Sequence, residues 1–94
     1  MKFYQHELFK EIERFQGWLL EQVDSNRITS RANQEIVKAG NKVIRDSGLP
    51  AGPDATPMAI AINRQNLHVM KMKTIELYPS LAEEVRNFSK GRSL

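Results

Sequence analysis

The stretch Thr56–Leu77, TPMAIAINRQNLHVMKMKTIEL, decides the fold of this 94-residue chain, because it can be interpreted in two ways. Apolar residues alternate from Met58 to Ile62, a polar block fills residues 63–66, and a second apolar run begins at Leu67. This pattern is typical of a β-hairpin with a four-residue turn, in which Ile62 faces Leu67.

The same residues can also form a single helix. Thr56 is a suitable N-cap, Pro57 suits the first helical position, and the helix would run to about Leu77. Periodicity alone separates short buried strands from helices poorly. We favour the hairpin because a clean apolar alternation leads directly into a polar block. The predicted fold is therefore α+β, with an N-terminal antiparallel helical hairpin, a small β-hairpin and a short C-terminal helix; an all-α bundle is the alternative.

A first helix is indicated by apolar residues that recur every three or four positions. They are Leu8, Ile12, Phe15, Leu19 and Val23. With their neighbours they span an apolar arc of roughly 160°, wider than the stripe of about 100° that one packing partner requires. The extra width predicts a second intramolecular neighbour or a protein interface. The candidate interface residues are Tyr4, Phe9, Trp18 and Leu20.

A second helix is predicted to begin at Thr29 or Ser30, either of which can cap its first turn. It should run to about Ser47, with Gly48 in the left-handed position that follows many helices. Small residues on its apolar side would allow a close approach to the first helix, and a short polar loop joins the two. These small residues are Ala32, Ala39 and Gly40. The two helices are therefore predicted to form an antiparallel hairpin.

The chain is long enough for one core and too short for two, so a single domain is predicted. A capping box that begins at Ser80 indicates the short C-terminal helix. Within residues 1–94 the predicted parts are the helical hairpin at 1–49, a loop at 50–56, and the β-hairpin with the last helix at 57–94.

Composition excludes several classes of protein. With 40% hydrophobic residues and five glycines, the chain has the content of an ordinary globular domain, not of a disordered one. It contains no cysteine, which excludes disulfide scaffolds, zinc ribbons and thiol nucleophiles. No apolar segment follows Met1 as in a secretory signal, and none approaches the 20 or so residues of a membrane span. We expect a cytoplasmic protein without membrane association.

No constellation in the sequence points to catalysis. Glycine-rich phosphate loops, nucleophile elbows and metal-binding helix motifs are missing. The two histidines, His6 and His68, lie far apart in the sequence, and neither has a second ligand at helical spacing. We therefore predict that the protein is not an enzyme and uses neither a metal nor a cofactor.

Charge is distributed unevenly along the chain, whose formal net charge is +3. Residues 1–24 have three basic and five acidic groups, whereas residues 25–49 have five and two. Four of the basic groups would fall within roughly 60° of arc on the second helix, opposite its apolar side. These four, called the basic stripe below, are Arg31, Lys38, Lys42 and Arg45. Gln34 and Asn41 border the stripe, and Arg27 extends it into the preceding loop.

A row of cations on a rigid helix can neutralise successive phosphates, while amide side chains reach base edges or sugars. A solvated basic face is the simpler interpretation of the same pattern. The first function hypothesis is a non-catalytic regulatory protein that binds nucleic acid, or another polyanion such as an acidic protein surface, through Arg27, Arg31, Gln34, Lys38, Asn41, Lys42 and Arg45. The alternative is a protein-interaction or oligomerisation module, such as an adaptor, an inhibitor or a homodimer, that acts through the apolar face of the first helix.

Overall fold

The computed structural model describes the backbone of residues 2–48 and 56–91, and the side chains of residues 7–48 and 56–88. Within that part of the chain every regular element is helical. The elements are α1 (Lys2–Asp24), α2 (Ser30–Ser47), α3 (Pro57–Leu77) and α4 (Ala82–Gly91), with a 3-10 turn at Pro79–Leu81 between α3 and α4. The α+β prediction is wrong, and the all-α alternative is the fold observed.

The predicted β-hairpin is replaced by helix α3. The Oγ1 atom of Thr56 accepts a hydrogen bond from the backbone N–H of Ala59 at 3.1 Å, and Pro57 occupies the first turn. The polar block, which the hairpin interpretation places in a turn, lies inside the helix, where Asn63 Nδ2 donates to the Ala59 carbonyl at 3.0 Å. Ile62 and Leu67 therefore lie on one continuous helix, α3, with residues 63–66 between them, and do not face each other across two strands.

The residues between the alternating apolar side chains explain this error. Ala59 and Ala61 fill the positions that a half-buried strand would give to polar residues. Alanine has the highest helix propensity of all residues and is depleted in strands, so the local preference opposed the alternation. The buried positions of α3 recur at helical spacing, at Asn66, Leu67, Met70 and Thr74.

Helix α1 supplies one wall of the core, as its periodicity predicts. Leu8, Ile12, Phe15 and Leu19 are buried, and Val23 packs against them. The other buried apolar side chains come from every remaining helix and from the loop after α1. They are Ile28, Ile36, Leu67, Met70, Leu81 and Val85.

Both predicted ends of α2 are confirmed. Thr29 Oγ1 accepts from the N–H of Ala32 at 3.0 Å, which satisfies one free donor of the first turn. The helix ends at Ser47, and Gly48 adopts a left-handed φ of 73° while its N–H bonds to the Arg45 carbonyl. The loop predicted at residues 50–56 lies outside the described residues apart from Thr56.

Helix α2 packs most extensively against α3 and less against α1. Gly40 is buried against α3, where an added Cβ would lie 2.7 Å from Met70 Cγ and 3.3 Å from the Asn66 carbonyl oxygen. At the other end, the hydroxyl of Tyr78 accepts from the N–H of Thr29 at 3.0 Å. These contacts make α2 and α3 antiparallel. The prediction that Gly40 allows α2 to approach the first helix is wrong, because the neighbour at Gly40 is α3.

Candidate polyanion-binding surface

Helix α2 holds the basic stripe on its solvent face. Arg31, Lys38, Lys42 and Arg45 are all exposed, whereas Ile36 and Gly40 on the opposite side are buried. At 1.5 Å per residue, the stripe runs for about 21 Å along the helix axis. The four cations therefore lie on one rigid element and face solvent together.

Most of the stripe is not engaged in ion pairs. Lys42 Nζ lies 3.0 Å from Asp46 Oδ2, one turn further along α2, and both side chains are largely exposed. Among the described side chains, Arg31, Lys38 and Arg45 have no carboxylate within ion-pairing distance. Arg45 also lies in the last turn, where a cation stabilises the negative end of the helix dipole.

A groove of about 380 Å³ opens between α2 and α3 beside the stripe. Three stripe residues, Lys38, Lys42 and Arg45, line it together with Glu35, Ala39 and Lys73. Lys73 belongs to α3, and its Nζ lies 3.8 Å from Glu76 Oε2. The structure thus adds a fifth cation, from a second helix, beside three residues of the stripe.

Sequence reasoning missed two groove residues. Lys73 directly follows the β-hairpin predicted at residues 58–72, which gives it no position beside the second helix; the helical alternative puts it on α3. Glu35 was passed over although its position, four residues after Arg31, is visible in the sequence. Among the described residues, its carboxylate is the one acidic group that lines the groove.

Of the remaining predicted contact residues, Gln34 and Asn41 lie beside the stripe, whereas Arg27 is held by other contacts. Gln34 and Asn41 are exposed and, by helical spacing, border the stripe on the edge away from the groove. Arg27 lies in the loop before α2, where its guanidinium donates to Gln22 Oε1 at 2.9 Å and to Glu84 of α4. The hydrogen bond to Glu84 raises the pKa of Arg27. Arg27 therefore connects the loop to α1 and α4 and does not line the groove.

The candidate interface on α1 is mostly covered by the protein itself. Trp18 stacks on Phe15 with ring centroids 5.6 Å apart, and Phe88 of α4 meets Phe15 edge-on at 5.4 Å. Phe9 is partly buried against the same core. Leu20 is 56% exposed, and the side chain of Tyr4 lies outside the described residues. The wide apolar arc of α1 is thus explained by intramolecular neighbours: α1 packs against α2 and α3, and its Phe15 and Trp18 contact Phe88 of α4.

No three His, Asp or Glu side chains among the described residues come together as a metal site would require. Of the helices described, none has the length and apolar character to cross a bilayer. Comparisons with models of known protein families, with curated proteins and with solved structures found no match to this chain.

Proposed function

We propose that this protein is a non-catalytic regulatory protein that binds nucleic acid through the phosphate backbone. The observation that carries the proposal is the row of exposed cations on α2, which Lys73 of α3 joins at the groove. Cations held on rigid helices neutralise phosphates and release condensed counterions, which gives affinity without reading the base sequence. We place its action in the cytoplasm, because a chain without cysteine has no need of an oxidising compartment.

The surroundings of the stripe favour a duplex over a single strand. Proteins that bind single strands stack successive bases on exposed aromatic rings. Here Phe15, Trp18 and Phe88 pack against one another, and the hydroxyl of Tyr78 bonds to Thr29. Among the described residues, no aromatic side chain lines the groove. The amides of Gln34 and Asn41 can add hydrogen bonds to phosphates or sugars.

Salt dependence is the direct test. Fluorescence anisotropy with a labelled random duplex, DNA in one series and RNA in another, should be measured at 50 and 200 mM salt. Neutralising about four phosphates gives a slope near −3.6 in log K against log salt, so the affinity should fall by roughly 150-fold. Equal affinity at both salt concentrations would contradict the proposal.

Charge reversal tests whether the duplex binds at the basic stripe. The double variant Lys38→Glu, Lys42→Glu should abolish duplex binding while the helical circular dichroism is retained, because both side chains are exposed. Lys10→Glu together with Arg14→Glu, at two exposed positions of α1, is the control with the same change in net charge. Equal loss in both double variants would mean that only the net charge matters.

The alternative function, protein association through α1, has less support. Its candidate residues Phe9 and Trp18 pack against the core, which leaves Leu20 as the exposed member among the described side chains. A lone exposed leucine is a normal feature of protein surfaces.

A further inference from the structure

We infer that the groove between α2 and α3 is a phosphate subsite, in which one phosphate of the bound nucleic acid lies between Lys38 and Lys42 of α2 and Lys73 of α3, and in which Glu35 limits the affinity. This inference rests on the proposed function and deepens it. It differs from a simple basic stripe because one ligand group is contributed by another helix, and because one groove residue opposes binding.

The first argument is the shape of the site. The stripe alone is convex, so its cations diverge into solvent, whereas the groove brings cations from two helices to a common space. The groove is shallow and open to solvent, and its volume of about 380 Å³ lies near the lower end of the range of ligand sites, roughly 300–1,000 Å³. That volume corresponds to roughly a dozen water molecules, which is enough for a phosphate that keeps part of its hydration shell.

The second argument is the rigidity of the two walls. Gly40 lies so close to Asn66 and Met70 that no Cβ fits between α2 and α3. Thr74, the neighbour of Lys73 in the chain, is buried, and its Oγ1 bonds to the Met70 carbonyl at 2.8 Å. The Gly40 contact therefore fixes the backbone of α3 relative to α2, so an anion that binds has only the side chains of the groove lysines to order.

The third argument is that the existing ion pairs are weak competitors. Lys42 pairs with Asp46, and Lys73 pairs with Glu76 at 3.8 Å; each pair lies within one helix turn, and at least one of its partners is well exposed. Exposed pairs of this kind contribute about 0.3–0.5 kcal/mol. A phosphate contacted by three cations can displace both carboxylates.

The fourth argument concerns Glu35. Among the described side chains it has no cation within ion-pairing distance, although it lies in a groove with four of them. An exposed carboxylate in this position repels a phosphate that enters the groove. Replacing it with glutamine keeps its size and hydrogen-bonding ability but removes the charge.

The test uses the full chain and four single variants that each remove one charge. Lys73→Gln should lower the duplex affinity severalfold at 0.1 M salt, as Lys42→Gln should, and each should reduce the salt slope by at most about 1, because the other two lysines still contact the shared phosphate. Lys10→Gln, at an exposed position on α1 that does not line the groove, should change the affinity less than twofold. Glu35→Gln should raise the affinity severalfold, in the opposite direction.

The results separate this inference from the proposed function. If Lys73→Gln left the duplex affinity unchanged, the phosphate subsite would be overturned. The basic stripe would then remain the proposed binding surface. A parallel titration with inorganic pyrophosphate, followed by backbone amide shifts, should perturb residues around 35–45 and 73, and Lys73→Gln should suppress these shifts. Such shifts without any duplex binding would overturn nucleic acid as the ligand while supporting the phosphate subsite. The absence of both responses would overturn both proposals.

Discussion

Two glycines in this chain have opposite surroundings, and replacing each with alanine should have opposite effects. Gly17 is exposed in the middle of α1, and a Cβ there would meet no atom of another segment within 4 Å. Gly17→Ala should raise the free energy of unfolding by up to about 1 kcal/mol, since glycine weakens a helix interior. Gly40→Ala should lower it by about 1–3 kcal/mol, because the methyl group would have to separate α2 from Asn66 and Met70. Urea unfolding measures both; a Gly40→Ala variant as stable as the parent would mean that α2 and α3 are not in close contact.

Lys71 and Glu11 form an ion pair across α1 and α3, with Nζ and Oε2 3.7 Å apart. Burial lowers the pKa of Lys71 below its ordinary 10.5, and Glu11 partly opposes this effect. Between the lowered pKa and 10.5 only the unfolded chain keeps the proton, so the free energy of unfolding should rise with pH there. At pH values below that window both states are protonated, and the free energy of unfolding is reduced by the full cost of burying the charged ammonium group. Glu11→Gln should lower the pKa of Lys71 further, which an NMR titration of the lysine side chains measures; an increase would contradict the α1–α3 packing.

Among the helices, α2 was predictable from sequence and α3 was not, for a physical reason. The ends of α2 are encoded locally by Thr29 and Gly48, whose capping geometry needs no tertiary partner. The start of α3 is encoded as clearly by Thr56 and Pro57. However, α3 is the central helix and packs against all the others, so apolar residues are found nearly all round it and the helical periodicity is blurred.

The helical state of residues 63–66 can be tested with a glycine at the exposed Gln65. In the middle of α3, Gln65→Gly should cost nearly 1 kcal/mol, whereas glycine would be favourable in the turn of a hairpin. Gln65→Ala is the matched control and should leave the stability unchanged or slightly increase it. Thermal unfolding followed by circular dichroism compares the two, and a glycine variant more stable than the alanine variant would contradict a continuous α3.

Across the whole molecule, the positions of the cations depend on helical spacing within one helix and on the packing of separate helices. The molecule is only 19 Å thick along its shortest axis, about two helix diameters. The sequence predicted which cations share a face of α2, because that depends only on helical spacing. It could not predict that Lys73 lies beside them, nor that Arg27 bonds to Glu84 of α4, since both depend on how separate helices pack. The groove is therefore a property of the tertiary fold, whereas the stripe is a property of one helix.

Helix packing also decides whether the apolar residues of α1 belong to the core or to the surface. Trp18 packs against both Phe15 and Phe88, which also contact each other, and so helps connect α1 to α4, while Leu20 on the same helix is exposed to solvent. Trp18→Ala should lower the free energy of unfolding by about 2 kcal/mol. This is less than the 3–5 kcal/mol expected for a fully buried tryptophan, because the side chain of Trp18 is only partly buried. Leu20→Ala should change it by less than about 0.5 kcal/mol. Chemical denaturation gives these values, and sedimentation equilibrium on the same samples gives the association state. If Trp18→Ala left stability intact but shifted a dimer to monomer, α1 would be an interface and not a wall of the core.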